Sequence, residues 1–175
     1  MKQMDGGDIM DRIEINVAKK EDIAQLVQIQ MESFHTAFED IISKETLQKH
    51  ANLETCTNML ESVFDAEKGT FYMAYLNEEP CGELFWCNGD DDPESAEIVA
   101  VHSLKKTWGS GIGKAMMERA CKDISVAGKK YIYLWVFKDN IRACRFYEKC
   151  GFFKDGQEQI TRFDSAIEIR YRKQL

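Results

Sequence analysis

The chain has 175 residues, and its 44% hydrophobic content provides enough apolar side chains for one globular domain with its own core. Its 30 Asp and Glu outnumber its 23 Lys and Arg, so the net charge of -7 has the wrong sign for a surface that neutralises a phosphate backbone. No uncharged segment is long enough to span a bilayer. These properties argue against nucleic-acid and membrane partners and permit a cationic small molecule.

The first ten residues contain a Gly-Gly pair and lack the apolar core of a signal peptide. We expect a flexible leader over residues 1–10, a single domain over residues 11–175 and a cytoplasmic location. The six cysteines include no pair with the Cys-x-x-Cys spacing of zinc sites. We therefore expect no metal and interpret the cysteines as small buried thiols.

The first half of the chain changes from strand periodicity to helix periodicity and back. Alternating apolar residues predict a strand over 12–17, and apolar residues three and four apart predict an amphipathic helix over 23–38. Good helix formers without Gly or Pro predict one or two further helices over 43–64. Two β-prone runs, 71–76 and 81–87, predict a hairpin.

The second half alternates strands and helices. The patterns predict a strand over 96–104, an amphipathic helix over 112–127 and a strand covered on both faces over 131–137. A short helix is expected after Asn140, which is a good N-cap residue, and two strands are expected within 152–172. This order predicts an α/β fold whose mixed sheet has helices on both faces.

A glycine-rich segment runs from Trp108 to Lys114, between a predicted strand and a predicted helix. Its glycines let the backbone approach an anion, and the unpaired amides of the first helical turn favour a phosphate at this place. A P-loop would need Gly at position 108, and a Rossmann fingerprint would need Gly at position 114. The segment is therefore a phosphate site of another kind, or a turn that only joins a strand to a helix.

A second motif begins at the predicted N-cap of the last helix. Its members are Asn140, Ala143, Phe146, Tyr147, Gly151 and Phe152. In this order and separation, the two motifs resemble the GNAT superfamily of N-acetyltransferases, and the resemblance covers about residues 12–172. It implies a GNAT-type acyl-CoA N-acyltransferase fold with a central, mostly antiparallel mixed sheet, and acetyl-CoA as the acyl donor. Trp108 departs from the family pattern, which has Gln or Arg at this position.

The resemblance also implies how the cofactor is held. The glycine-rich loop would bind the pyrophosphate of coenzyme A, mainly through backbone amides. The loop residues are Gly109, Ser110, Gly111, Ile112, Gly113 and Lys114. In the preceding strand, the amides of Ser103 and Leu104 would bind the pantetheine arm and polarise the thioester carbonyl. Asn140 would line the pantetheine channel.

By the same resemblance, Tyr147 is the general acid that protonates the leaving thiolate. A free thiol has a pKa of about 8.5 and a tyrosine one of about 10, so a hydroxyl beside the sulfur can supply the proton. The alternative for Tyr147 is a core aromatic position. Cys144 or Cys150 could form an acyl-enzyme, but direct attack by the amine in a ternary complex is commoner in the family and is our expectation.

The attacking amine must be neutral, so a carboxylate or an imidazole should accept its proton. Glu97 is the first candidate, because it lies eleven residues before Trp108, like the catalytic glutamate in the histone-acetylating branch of the family. His102 is the second candidate. In a regular strand these two residues point to opposite faces, so only one should face the cleft. A solvated position at the sheet surface is the alternative for each.

The acceptor amine is predicted from weaker signals. Residues 31–40 are similar to the corresponding part of bacterial spermidine/spermine acetyltransferases. Together with the acidic net charge, this similarity favours a polyamine as the small-molecule substrate. For the acidic residues at 32, 39, 40 and 90–92, solvated loop and helix faces are the alternative. A non-catalytic acetyl-CoA-binding sensor module and an antibiotic or protein N-terminal acetyltransferase are the alternatives. The resemblance also suggests a homodimer, which is common in the superfamily.

Overall fold

The computed structural model describes residues 11–90 and 92–175, so the predicted leader over residues 1–10 lies outside the described residues. The strands in the described ranges are β1 (Ile13–Val17), β2 (Gly69–Leu76), β3 (Glu79–Asn88), β4 (Ser95–Ser103), β5 (Tyr131–Phe137), β6 (Phe153–Ile160) and β7 (Ile167–Gln174). The helices are α1 (Ile23–Phe38), α2 (Lys44–His50), α3 (Leu53–Asp65), α4 (Ile112–Val126) and α5 (Ile141–Lys149). Each element predicted from the sequence is present, with bounds shifted by a few residues.

The strands form one sheet in the order β1-β2-β3-β4-β5-β7-β6. Only the pairing of β4 with β5 is parallel among the described strands, and the remaining neighbours are antiparallel. The predicted mixed and mostly antiparallel sheet is therefore confirmed. The parallel pair needs a crossover connection, and α4 supplies it by packing against the sheet between the two strands in sequence.

Helices cover both faces of the sheet, as predicted. On one face, a Cβ added to Gly82 would lie 3.1 Å from side-chain atoms of Ile112 and Met116, which places α4 against β3. Neighbouring strand residues point to opposite faces, so Glu83 points away from α4. On that second face, Phe64 of α3 stacks on Phe71, and α1 packs against β3 and β4.

The sheet opens between its two parallel strands. β4 and β5 pair only over Ser95–Glu97 and Tyr131–Tyr133. Beyond these residues, β4 continues to pair with β3, and β5 continues to pair with β7. The two strands therefore diverge toward the glycine-rich loop.

A β-bulge at Val99 changes which residues of β4 share a face. In the register of β3 with β4, Phe85 pairs with Ala100 whereas Trp86 pairs with Ile98, so Val99 is an extra residue. One extra residue reverses the alternation. Glu97 and His102 therefore lie on the same face of the sheet, and the prediction of opposite faces was wrong because it assumed a regular strand.

Candidate active site

A cleft of about 980 Å³ lies where β4 and β5 diverge. The glycine-rich loop and the start of α4 form one end, α5 forms a wall, and α1 with the second face of the sheet forms the other end. The aromatic side chains in its lining are Phe34, Phe38, Phe71, Phe85, Trp108, Trp135, Phe137, Phe146, Tyr147 and Phe163. A concave, mainly apolar cleft with a few polar groups is typical of a small-molecule site.

The N-terminus of α4 opens into this cleft. Gly111 is the N-cap residue, with φ of +94°, and no side chain within residues 11–90 and 92–175 caps the helix there. The first helical hydrogen bond runs from the N–H of Ala115 to the carbonyl of Gly111, so the amides of residues 112–114 have no acceptor within the helix. A Cβ added to Gly109 would meet nothing within 4 Å. The space and the free amides suit an anionic group such as a diphosphate.

Charge around the cleft supports an anionic ligand at the α4 end. Its basic lining residues are Lys114, Arg142, Arg145 and Lys149. Glu168 is the single carboxylate in the lining, among the residues that the structure describes. Basic residues therefore dominate the cleft of a protein whose net charge is -7. Such a local positive field attracts a negatively charged ligand.

Most residues predicted to hold the cofactor line the cleft, and two require correction. The lining includes Ser103, Gly109, Gly111, Ile112, Gly113, Lys114, Asn140 and Tyr147. The predicted contact of the Leu104 amide with the pantetheine arm is the first correction, because this N–H donates to the carbonyl of Cys81 at 2.9 Å. Ser110 is also different, because its N–H and its hydroxyl both donate to the carbonyl of Thr107. Neither amide is free for a ligand.

The amide of Ser103 is directed into the opening. Hydrogen bonds alternate along an antiparallel pair, so the bond from Leu104 to Cys81 turns the N–H groups of Ser103 and Val101 away from β3. β5 does not pair with this part of β4. These two N–H groups therefore face the cleft. The amide of Val101 is a donor in the cleft that the sequence analysis did not identify.

Trp108 has a role that its departure from the family pattern did not reveal. Its Nε1 donates to the carbonyl of Ser103 at 3.1 Å, which joins the loop to the end of β4. The guanidinium carbon of Arg142 lies 3.2 Å from the centre of the Trp108 ring. Burial lowers the pKa of Arg142. Arg142 was missed in the sequence, although it stands inside the second motif.

Asn140 and Tyr147, the two residues of the second motif with predicted roles, both line the cleft. Asn140 lines it and also caps the helix, because its Oδ1 accepts the N–H of Ala143 at 3.1 Å. Tyr147 lines the cleft and is 8% exposed. Burial raises the pKa of Tyr147, so its hydroxyl stays protonated at neutral pH. Its position therefore suits both the predicted acid and the alternative of a core aromatic.

The two candidate bases occupy different parts of β4. His102 lines the cleft, and burial lowers its pKa to about 4, so the imidazole is neutral at pH 7. Glu97 is not among the lining residues and lies where β4 still pairs with β5. Its Oε2 accepts the hydroxyl of Tyr133 at 3.2 Å. The geometry brings His102, and not Glu97, to the cleft.

Glu83 is a buried carboxyl that the sequence analysis overlooked. It is 0% exposed, and neither carboxyl oxygen has a hydrogen-bond partner among the residues that the structure describes. Burial raises its pKa to about 8. The side-chain oxygens of Gln30 and Ser33 on α1 are also buried without partners, and both residues line the cleft. A glutamate within the otherwise apolar run 81–87 was the signal in the sequence.

The cysteines show no sign of nucleophilic function. All six are free, and each lies within the described residues. Cys144 and Cys150 are absent from the cleft lining. Burial raises the pKa of both thiols, which disfavours the reactive thiolate. This arrangement supports direct attack by the amine over an acyl-enzyme.

Comparison with known proteins identifies the family. Residues 23–152, more than half of the chain, match the Acetyltransferase (GNAT) family. The chain belongs to this family. An uncharacterized N-acetyltransferase of Archaeoglobus fulgidus is 26% identical over 139 residues, which are 77% of this chain and 89% of that relative. Another, from Methanocaldococcus jannaschii, is 29% identical over 86 residues, and the match spans 47% of this chain and 38% of the relative's length.

Solved structures of GNAT enzymes share the fold. The PaiA N-acetyltransferase of Thermoplasma acidophilum, solved in complex with coenzyme A, has a TM-score of 0.73 at 21% identity, covering 94% of this chain and 99% of that one. The yncA structure from Salmonella typhimurium, solved with its cofactor acetyl-CoA, has a TM-score of 0.73 at 16% identity, covering 94% of each chain. The predicted GNAT-type architecture is confirmed. Among the described residues, no helix has the length and hydrophobicity needed to cross a membrane.

Proposed function

We propose that this GNAT protein is an acetyl-CoA-dependent N-acetyltransferase that transfers an acetyl group to a primary amine by direct attack in a ternary complex. One observation carries the proposal: the uncapped N-terminus of α4 opens into the same cleft as Tyr147 and His102. An anion site, a proton donor and a proton acceptor are the groups that this reaction requires.

The lining residues fit acetyl-CoA. The free amides at the start of α4 would hold the pyrophosphate, with Arg142 and Lys114 as nearby cations. The amides of Ser103 and Val101 would bind the pantetheine arm, and Asn140 would lie along it. The complexes of the Thermoplasma acidophilum and Salmonella typhimurium proteins with coenzyme A and acetyl-CoA support this assignment. When bound, acetyl-CoA supplies the thioester whose acetyl carbon forms the new C–N bond as its C–S bond breaks.

The residues around the reaction centre divide the proton transfers between them. His102 accepts the proton that the amine nitrogen loses on attack, because a neutral imidazole in the cleft has a free lone pair. Tyr147 donates its hydroxyl proton toward the departing sulfur. A backbone N–H from Ser103 stabilises negative charge on the carbonyl oxygen. Glu97 stays a candidate base that a substitution can test.

The acceptor end favours an amine on an apolar carrier. α1 and the second face of the sheet supply aromatic rings such as Phe34, Phe38 and Phe85, and Glu168 is the one carboxylate among the described residues that line the cleft. None of the described acidic residues that suggested a polyamine, at positions 32, 39, 40, 90 and 92, lines the cleft. A polyamine acceptor therefore stays a prediction, and Glu168 is the lining carboxylate that could bind its distal cation. The homodimer and the cytoplasmic location also stay predictions.

Two measurements test the proposal. Titration calorimetry with acetyl-CoA should show binding, and a thiol reagent should then detect coenzyme A released in the presence of an accepted amine. A panel of aromatic monoamines, polyamines, aminoglycosides, amino acids and N-terminal peptides separates the candidate acceptors. Tight binding without thiol release across the panel would support the sensor module instead. Absence of acetyl-CoA binding would refute the proposed function.

A further inference from the structure

One side of α1 carries two polar side chains into the apolar end of the cleft. Gln30, Ser33, Phe34 and Ala37 all line the cleft, and their spacing of three and four residues places them on one side of the helix. Ser33 is 3% exposed, and its Oγ has no hydrogen-bond partner within residues 11–90 and 92–175. In the same ranges, the Oε1 of Gln30 is also buried without a partner.

Thr36 shows how a hydroxyl of α1 is satisfied outside the cleft. Its Oγ1 donates to the carbonyl of Glu32 at 2.9 Å, one turn earlier in the same helix. Ser33 makes no such bond in the described part of the chain. A buried polar atom without a partner lowers stability, and such atoms are rare in folded proteins. Two of them on one cleft wall indicate a place for a hydrogen-bonding ligand or for water.

The sheet opposite α1 contributes groups that are uncharged at pH 7. α1 packs against β3 and β4, and on the face turned toward it Glu83 lies between Met73 of β2 and His102 of β4 in the strand register. Burial raises the pKa of Glu83 to about 8 and lowers that of His102 to about 4. From α3, the Cys56 thiol has a pKa raised by burial and is neutral. These neighbours suit a neutral amine, which is the form that attacks.

A neutral primary amine brings two N–H groups into the cleft. In the proposed reaction the C–N bond forms, the C–S bond breaks, one N–H proton passes to His102 and Tyr147 protonates the sulfur. Both residues then exchange protons with water. The second N–H stays on the nitrogen and becomes the N–H of the product amide. A buried N–H needs an acceptor, and the rings of Phe34 and Phe85 in the lining offer none.

We propose that Ser33 and Gln30 bind the N–H group that the acceptor amine keeps, and that they thereby select primary amines on an aromatic carrier. The proposal rests on the proposed function and names the recognition residues of its acceptor. A secondary amine has a single N–H, which goes to His102, and its extra carbon would lie against the two oxygens. The ring of Phe34, beside Ser33 in the lining, would pack on the aromatic carrier.

The test compares Ser33→Ala and Gln30→Met with the unchanged chain and with Thr36→Val. The first two remove the unpartnered oxygens, and the third removes a hydroxyl of α1 that lies outside the cleft lining. The probe is phenylalanine amide, an aromatic primary amine whose amino group has a pKa of about 8, so that much of it is neutral near this pH. N-methylphenylalanine amide is the matched secondary amine.

Kinetics give the first readout. Loss of one hydrogen bond should raise the KM for phenylalanine amide about two- to tenfold in Ser33→Ala and in Gln30→Met. The unchanged chain should prefer the primary over the secondary amine in kcat/KM, and this preference should fall by about the same factor in both variants. The Kd for acetyl-CoA should stay unchanged. Thr36→Val should alter none of these values.

Stability separates recognition from a structural role. The Ser33 hydroxyl has no partner among the described residues, so Ser33→Ala should unfold at the same or a higher denaturant concentration than the unchanged chain. A lower midpoint combined with an unchanged KM would mean that the hydroxyl supports the fold and would overturn the proposal.

Binding without turnover gives the third readout. NMR titration of the chain with phenylalanine amide should show binding that is about two- to tenfold weaker in Ser33→Ala and in Gln30→Met. No binding to the unchanged chain, or equal affinity in all variants, would overturn the proposal. That result leaves the proposed function intact when acetyl-CoA binding and thiol release with another amine persist. Loss of acetyl-CoA binding in the unchanged chain would instead refute the proposed function, and the NMR titration would still decide whether Ser33 and Gln30 bind the amine.

Discussion

The guanidinium of Arg142 covers the ring of Trp108, with its central carbon 3.2 Å from the ring centre. This contact joins the start of α5 to the loop that precedes α4. The Nε1 of Trp108 donates to Ser103, so the same ring also fixes the end of β4. Three segments that line the cleft are therefore held in one arrangement, and a cation is placed beside the free amides of α4.

Arg142→Ala should weaken acetyl-CoA binding. A charge-assisted hydrogen bond to a phosphate contributes roughly 1.5 to 3 kcal/mol, so we expect the Kd to rise by about ten- to a hundredfold. Arg142→Lys should recover only part of the loss, because an ammonium does not stack on Trp108 as a guanidinium does. Lys122→Ala, an exposed position on α4 outside the cleft lining, is the matched control. Equal Kd values for Arg142→Ala and the control would contradict the assignment.

Gly111→Ala should impair the anion site through the backbone. Gly111 has φ of +94° and Gly128, just beyond the other end of α4, has φ of +82°. Alanine costs roughly 1 to 2 kcal/mol in this region, so both substitutions should lower the free energy of unfolding by a similar amount. Only Gly111→Ala should raise the Kd for acetyl-CoA. Calorimetry and thermal unfolding separate the effects, and equal weakening of binding by Gly128→Ala would argue against the site.

Tyr147→Phe should lower turnover while acetyl-CoA still binds. Loss of a general acid typically costs about a hundred- to ten-thousandfold in kcat. Burial raises the pKa of Tyr147, so an alkaline limb at moderate pH in the unchanged enzyme should come from another group. Tyr72→Phe is the control, because it removes hydrogen bonds to Asp123 and Trp86 on the α4 face without touching the cleft. Full turnover in Tyr147→Phe would leave Tyr147 as a core aromatic.

The spacing of apolar residues was sufficient to predict the helices and strands, and the glycines were sufficient to predict the loop before α4. Apolar spacing identified α1 and α4, and the continuous apolar run of β5 indicated its burial between two layers. The phosphate site could be predicted because it depends on backbone amides at a helix start, which glycines mark in the sequence.

Features that depend on register could not be predicted. The bulge at Val99 leaves no residue signature, yet it moves Glu97 and His102 to one face. The hydrogen bond from the N–H of Leu104 to the carbonyl of Cys81 also follows from strand pairing, as does the position of Glu83 opposite His102. Such contacts join residues far apart in the chain, and local spacing carries no information about them.

Glu83→Gln should stabilise the fold increasingly as pH rises. The folded state keeps the Glu83 proton up to about pH 8, while the unfolded chain loses it near the ordinary value of 4.5. As the pH rises from 4.5 to about 8, Glu83 therefore progressively lowers the free energy of unfolding of the unchanged chain. The Glu83→Gln substitution removes this loss. His102, whose pKa falls to about 4, titrates in both proteins, so its contribution largely cancels in the difference.

The difference in unfolding free energy between Glu83→Gln and the unchanged chain should grow from pH 4.5 to pH 8, to at most about 5 kcal/mol. Chemical denaturation at a series of pH values measures it. Met73→Leu, at the buried neighbour of Glu83, should give a difference that does not vary with pH because no titrating group is changed. A flat difference for Glu83→Gln as well would mean that the carboxyl is ionised in the folded protein at low pH, which requires a charged or hydrogen-bonding partner in solution.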